Sequence, residues 1–233
     1  VHHGFADYEY QATRTFFDHY GIERPSVPLL VPEFQNPLFL KLFCQGLKNR
    51  GLTKVPPGMQ GITLIFNFFI ESVNEKLSNQ EYLDFDSKLK VVHKAVEKLS
   101  EAMAIKGSNW LPREEAQDIA NAFLPNNGYE KSLFRHMISE GLLAENRFLV
   151  RENEWCEGIH FSYERFTDHL IARYLLDKYL DLENPSDSFQ PTQLLGTFVK
   201  DEFACWQNRG LVEAFSIQIP ERIKKELVEI VPK

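Results

Sequence analysis

Apolar residues recur at helical spacing along the first half of the chain, between clear breaks. This pattern predicts four helices, over residues 8–20, 36–44, 62–77 and 87–105. Asn is a favoured N-cap and Pro a favoured first-turn residue, so Asn36-Pro37 specifies a helix start. The last of these helices is expected to bury Leu89, Val92, Val96, Leu99 and Met103. The sequence therefore predicts a helical bundle domain over residues 1–107.

The pattern changes after Asn109, where shorter segments follow one another. It predicts helices over 112–123 and 129–140, short segments of a hairpin over 142–144, 148–150 and 159–163, and a helix over 164–180. Helix, turn, helix and β-hairpin in that order are typical of a winged helix-turn-helix domain, here over residues 108–182. Further helices around 193–206, 211–217 and 222–230 predict a helical tail over residues 183–233. The predicted fold class is mainly α.

Composition and charge narrow the class of protein. With 43% hydrophobic and 25% charged residues, the chain is expected to be globular. Its three cysteines show neither a zinc spacing nor a disulfide framework, which favours a reducing, cytoplasmic compartment. The longest apolar run, 62–70, is too short to span a bilayer, so no membrane partner is expected.

Catalytic motifs are missing from the sequence. It contains no nucleophile motif, no Gly-rich phosphate loop and no metal-ligand spacing, so no catalytic residue and no metal site is predicted. His2, His3 and His19 are loose histidines without the spacing of a zinc site. His160 alternates with apolar residues and is expected to face solvent. The chain on its own is not expected to be an enzyme.

The strand-to-helix junction brings together polar groups of mixed kind. Tyr163, Arg165 and Asp168 fall at or just after the predicted start of the helix, where phosphates can bind. Glu164 and Asp168 are equally suited to a structural role as helix-start anions. Both interpretations stay open on the residues alone.

A winged helix also suggests DNA binding. Its second helix should then carry an excess of basic residues, but Lys131 and Arg135 are balanced by Glu130 and Glu140. The net charge of −7 also opposes a phosphate backbone, so nucleic acid is not the favoured partner. A DNA-binding regulator and a helical protein-interaction adaptor are the two alternatives to the function inferred next.

Three segments resemble a known family. Residues 36–44 resemble the helix start that follows the nucleotide-binding core in STAND-class P-loop NTPases of the NACHT type, and residues 159–176 resemble the end of that family's winged-helix domain. The resemblance places Pro37 against the adenine of a bound nucleotide. Tyr163 stands where many relatives have a histidine near the ADP phosphates, and Arg165 is the neighbouring candidate contact. Residues 210–221 are similar to the next helical region in large bacterial members, including AVAST-type antiviral proteins.

The resemblance implies a role for the chain as part of a larger protein. The family's phosphate loop and acidic magnesium strand are not in this sequence, and they would precede Val1 in an ATP-hydrolysing parent that binds ATP or ADP with magnesium. The chain would then be a non-catalytic regulatory segment that holds no cofactor by itself. It would gate nucleotide-dependent activation and oligomerisation, with the rest of its own chain and further copies as partners, and antiviral defence is the expected setting.

Overall fold

The computed structural model describes residues 4–5, 8–24, 32–55, 62–124, 128–151 and 154–232. The predicted mainly-α class is confirmed. The α-helices, in chain order, are α1 (Glu9–Tyr20), α2 (Pro37–Asn49), α3 (Ile62–Ser78), α4 (Val91–Lys106), α5 (Arg113–Asn121), α6 (Leu133–Ser139), α7 (Glu164–Tyr179), α8 (Pro185–Ser188), α9 (Leu194–Thr197), α10 (Glu202–Gln207), α11 (Arg209–Ile223) and α12 (Leu227–Ile230). The strands are β1 (Leu111–Pro112), β2 (Leu143–Arg151) and β3 (Glu154–Phe161). Within the described ranges, no helix is long and apolar enough to cross a membrane.

The chain divides into two compact units. The first consists of Val1–Ala95 and Ala120–Leu143, and the second of Val96–Ile119 and Ala144–Lys233. The division passes through α4, α5 and the beginning of β2. The domain boundaries predicted from sequence, 1–107, 108–182 and 183–233, stay a prediction.

Local capping explains two helix boundaries in the first unit, the start of α2 and the end of α1. Asn36 precedes α2, and its Oδ1 accepts the backbone N–H of Phe39 at 3.1 Å. Gly21 ends α1 with φ of 69°, a left-handed conformation in which a residue with a side chain would be strained. Both signals are local in sequence, so they could be recognised without the fold.

The start of α4 differs from the prediction. Ser87–Leu89 form a 3₁₀ turn, Lys90 adopts a left-handed φ of 51°, and the α-helix begins only at Val91. Leu89, which was expected to be buried, is therefore 52% exposed, whereas the other four expected core residues of α4 are fully buried. Asn74 explains this start: its Nδ2 donates to the Ser87 carbonyl and its Oδ1 accepts from the Val92 N–H.

The core of the first unit is rich in aromatic rings. The ring centroid of Phe34 lies 5.9 Å from that of Phe39 and 5.1 Å from that of Phe43. Phe17 of α1 and Phe66 of α3 add further contacts to this cluster. Burial of such rings contributes several kcal/mol each, which holds α1, α2 and α3 together.

The elements predicted to form a winged helix are present in the predicted order. α5 is followed by a 3₁₀ turn at Tyr129–Lys131 and by α6, with the Phe134 N–H donating to Asn121 Oδ1 at 3.1 Å. Ser132 caps α6 through a hydrogen bond from the Arg135 N–H. α6 belongs to the first unit and most of the hairpin to the second, so the winged-helix arrangement stays a prediction.

The three strands form one sheet with the order β1-β3-β2. β1 was not predicted; it is two residues long and pairs antiparallel with β3, with Leu111 opposite Ile159 and Pro112 opposite Gly158. Trp110 and Phe148 stack with centroids 4.4 Å apart and an angle of 2°. A Cβ at Gly158 would lie 2.5 Å from an atom of each ring. The rings of Phe148 in β2 and of Trp110, which directly precedes β1, therefore fill the space that a side chain at Gly158 would need.

His160 does not face solvent freely, so the expectation of a plain surface histidine is wrong. It is half-buried, its ring meets Phe148 edge-on at 5.9 Å, and its Nδ1 lies 2.8 Å from the Phe161 carbonyl oxygen. The aromatic stack on this face of the sheet accounts for the burial.

The C-terminal helices differ most from the sequence prediction. A single helix was predicted over 193–206, but α9 and α10 are separate, and α8 was not predicted. Conversely, α11 runs without a break through Pro220, where the prediction ended one helix and began another. Proline removes one helical hydrogen bond, but Phe215 and Ile219 are fully buried in the second unit. That burial, largely against α7, outweighs the local penalty.

Candidate functional site

The second unit contains an open cavity of about 700 Å³. It lies among the C-terminal end of α4, the first half of α7 and the N-terminal end of α11. A cavity of this size can hold a small organic molecule. Its lining has an apolar side and a charged side.

The apolar side is built from residues that helical periodicity directs inward. Met103 on α4 is fully buried, and Ile171 and Leu175 on α7 are nearly so. Phe198 and Leu211 complete this surface and are half-buried. Spacing of four residues on α7 places Ile171 and Leu175 on the same helix face as Asp168 and Glu164. One face of α7 therefore supplies both sides of the cavity.

The charged side contains a carboxylate shared by two guanidinium groups. Glu213 Oε2 lies 3.5 Å from Arg165 Nη2, and Glu213 Oε1 lies 2.8 Å from Arg209 Nε. The Arg165–Glu213 pair joins α7 to α11 across the cavity. All three side chains are 38–80% exposed, so each pair contributes at most about 1 kcal/mol to stability.

Asp168 lies deeper than the other charged groups. A Cβ at Gly210 would be 1.9 Å from Asp168 Oδ2, so the carboxyl packs against the Gly210 backbone in the first turn of α11. Burial, followed by repulsion from Glu164 and Glu213, raises the pKa of Asp168 to about 6, although Arg165 acts in the opposite direction. Asp168 can therefore change its charge close to neutral pH.

His169 lies next to Asp168 in sequence but in the core between α7 and α11. Burial lowers the pKa of His169 to about 3, and the nearby Arg173, Arg222 and Arg165 act in the same direction. The Gln218 side chain donates to the His169 backbone carbonyl at 2.8 Å. His169 is therefore neutral at physiological pH and contributes no charge to the cavity.

The three residues predicted to contact nucleotide lie in different units. Tyr163 is the N-cap residue of α7, and its carbonyl accepts the Phe166 N–H at 3.0 Å. Arg165 follows in the first turn and lines the cavity. The predicted junction thus brings Tyr163 and Arg165 to one helix end. Pro37 is half-buried at the first position of α2 in the first unit.

Of the three loose histidines, the structure describes only His19. His2 and His3 fall outside the described residues, and His19 is exposed with its ring against Tyr20. Over the described ranges, no group of three or more His, Cys, Asp or Glu side chains is arranged to hold a metal ion.

Sequence reasoning did not find Arg209, Gly210 and Glu213 as part of this site. They lie more than 40 residues after Arg165, and only the packing of α11 on α7 brings them to the cavity. Their local signal, an Arg-Gly pair at a helix start followed by an acid four residues after the Arg, is common on helix surfaces.

Comparison with known proteins gives no match: no family model fits the chain, and no curated protein is significantly similar to it.

Proposed function

We propose that this chain is the non-catalytic regulatory segment of a STAND-type signalling NTPase. In this proposal a nucleotide-binding core in the same parent protein binds ATP or ADP with magnesium, and the present segment gates activation and oligomerisation. The nucleotide contacts assigned to the segment are Pro37, Tyr163 and Arg165. The parent would act in the cytoplasm, in antiviral defence, with the rest of its own chain and further copies as partners.

The observation that carries the proposal is the position of Tyr163 and Arg165 at the start of α7. The first turn of a 16-residue helix presents backbone N–H groups and the positive end of the helix dipole to an anion. Arg165 is part of this first turn, and its side chain is 38% exposed. A phosphate could therefore approach helix end and guanidinium together, as the resemblance requires.

Pro37 supports the proposal through its backbone setting. It is the first residue of α2, directly after the capping Asn36, and Leu40 and Phe43 of this helix are fully buried. A proline ring fixed at the first turn of a well-packed helix offers a rigid apolar face to a planar base. Pro37 itself is half-buried, so part of its ring surface stays accessible.

The ion pair between Arg165 and Glu213 sets a condition on this function. A phosphate at Arg165 must compete with Glu213, since both bind the same guanidinium. A ligand shifts a conformational equilibrium only by its difference in affinity for the two states. Exchange of Glu213 for phosphate would provide such a difference, because the Arg165–Glu213 pair joins α7 to α11.

Two measurements test the proposal. The first is the coding sequence upstream of the Val1 codon, which should encode a strand followed by G-x-x-x-x-G-K-[ST] and a later acidic strand. If an upstream coding region without these motifs is found, the proposal is wrong.

The second is the fraction of parent protein that purifies with bound ADP, measured by chromatography after denaturation. The double variant Tyr163→Ala with Arg165→Ala is expected to retain at least about tenfold less ADP, as loss of a charge-assisted phosphate contact implies. Tyr8→Ala with Arg14→Ala is the matched control, since both residues are exposed on or next to α1. An equal fraction of bound ADP in the two double variants would show that Tyr163 and Arg165 do not contact the nucleotide.

A further inference from the structure

We propose that the cavity of the second unit binds an organic amine, with the ammonium group at the Asp168 carboxylate and an apolar stem along Phe198 and Leu211. This inference concerns the chain's own cavity and does not rest on the proposed nucleotide switch. It follows from three features of the cavity: its charge, the burial of Asp168 and the position of its apolar side.

The charged side of the cavity has an excess of negative charge. Its lining includes the carboxylates of Glu164, Asp168 and Glu213 and the guanidinium groups of Arg165 and Arg209. Both guanidinium groups are ion-paired with Glu213. Among the described residues, no ion pair or hydrogen bond engages the carboxylate of Glu164 or Asp168. A cation is therefore the ligand that completes the site.

Asp168 is the group where a cation gains most. Its carboxyl is half-buried against Gly210, so it has lost part of its hydration without gaining an ion pair. Burial and the neighbouring acids Glu164 and Glu213 raise the pKa of Asp168. A carboxyl with a strongly perturbed pKa in a cleft is a common sign of a binding site. An ammonium group would restore the missing partner and lower that pKa.

The apolar side decides the rest of the ligand. Phe198 and Leu211 are half-buried apolar residues of the lining, so both present side-chain surface to the cavity. Leu211 directly follows Gly210, against which the Asp168 carboxyl packs. A ligand with its ammonium group at Asp168 can therefore cover this surface with a flexible alkyl stem. A bare metal ion or a small inorganic cation would leave this surface uncovered.

The test uses the 233-residue chain and hexylamine, with binding measured by calorimetry and by ¹H–¹⁵N chemical-shift changes. At pH 7.5 we expect saturable binding with shift changes in α7 and α11. 1-Hexanol and hexanoate have the same stem without the positive charge and should bind at least about tenfold more weakly. Binding of hexanoate or hexanol as tight as that of hexylamine would overturn the proposal, as would the absence of hexylamine binding at millimolar concentration.

The pH dependence gives an independent readout. Hexylamine stays charged from pH 7.5 to pH 5.0, but with a pKa of about 6 only about a tenth of Asp168 is ionised at pH 5.0. Affinity should therefore fall about tenfold over this range. Glu164, Glu213, Arg165 and Arg209 are the other charged groups that line the cavity with Asp168. An affinity independent of pH would contradict a contact at Asp168.

Isosteric variants locate the contact. Asp168→Asn should abolish measurable binding and its pH dependence, whereas Glu183→Gln, which removes one exposed carboxylate outside the cavity, should change affinity less than twofold. Arg165→Ala separates this proposal from the nucleotide switch, because it removes a cation from the cavity and should keep or strengthen hexylamine binding. Equal loss of binding in the Asp168 and Glu183 variants, or loss in Arg165→Ala alone, would refute the proposal.

Discussion

Replacing Gly158 by alanine introduces a methyl group into a space that two aromatic rings already occupy. The new Cβ would lie 2.5 Å from Trp110 Cε3 and 2.5 Å from Phe148 Cδ2. Carbon atoms in van der Waals contact lie about 3.5–4.0 Å apart, so both rings must retreat by about 1 Å. Phe148 belongs to β2 and Trp110 directly precedes β1, so movement of the two rings disturbs both outer strands.

The expected cost follows from three contributions. Overpacking of a filled site costs about 1–3 kcal/mol, and loss of part of the ring stack costs about 0.5–1.5 kcal/mol. Alanine also restricts the unfolded chain, which stabilises the folded state by about 0.4–1 kcal/mol. We therefore expect Gly158→Ala to lower the free energy of unfolding by about 2 kcal/mol.

Urea unfolding, followed by circular dichroism and tryptophan fluorescence, measures this change. Phe148→Ala serves as the second background, because it removes one of the two rings that meet the new methyl group. In that background the cost of Gly158→Ala should be smaller by about 1 kcal/mol, as residues in contact are not additive. An equal cost in both backgrounds, or no cost in the wild-type chain, would refute the assigned packing.

Four further predictions test other parts of the structure and the DNA-binding alternative. Burial lowers the pKa of His169 to about 3, so the stability linked to its neutral form is present above pH 6.5 and is lost as the pH falls toward 3. His169→Gln should therefore lose less stability than the wild type between pH 7 and pH 4, as measured by urea titration. Asp168 acts in the opposite direction: its contribution to stability is present below pH 3.8 and is lost as the pH rises through about 6. Asp168→Asn should therefore lose more stability than the wild type as the pH falls from 7 to 4. Lys76→Met should lower the free energy of unfolding in urea by about 2 kcal/mol, because it removes the 2.8 Å ion pair of Glu140, whose side chain is only 10% exposed. Adding Glu140→Leu should recover part of that loss. A mobility-shift assay at low salt should show no retarded DNA, and retardation at 50 mM salt would instead favour the DNA-binding alternative.

The helices that sequence predicts well are those with local boundary signals. Asn36-Pro37 and Gly21 act within one turn of the chain, so they specify α2 and α1 whatever surrounds them. Pro220 shows the limit of such signals, because the local preference for a break is overridden by burial of Phe215 and Ile219. Leu89 shows the same limit in reverse, since its helical spacing is real but the chain turns before the helix begins.

The candidate site likewise has a part that local sequence signals predict and a part that depends on tertiary packing. The strand-to-helix junction, with Tyr163 and Arg165 at the start of α7, follows from the alternating pattern before it and the helical pattern after it. Asp168 was recognised as a polar group of that junction, but its burial against Gly210 was not. That contact depends on the packing of α11 on α7, which no short segment encodes. The perturbed pKa of Asp168 is therefore a tertiary property.

The two proposals place opposite demands on Arg165. A phosphate contact needs the Arg165 guanidinium released from Glu213, which would leave three carboxylates in the cavity and a stronger attraction for a cation. An amine at Asp168 lowers the negative potential that Glu213 feels and leaves the Arg165–Glu213 pair in place. If both ligands bind the same protein, each binding step must therefore change the affinity for the other by an equal factor. The sign of that coupling follows from Glu213: phosphate binding breaks the Arg165–Glu213 pair, and the amine then binds more tightly.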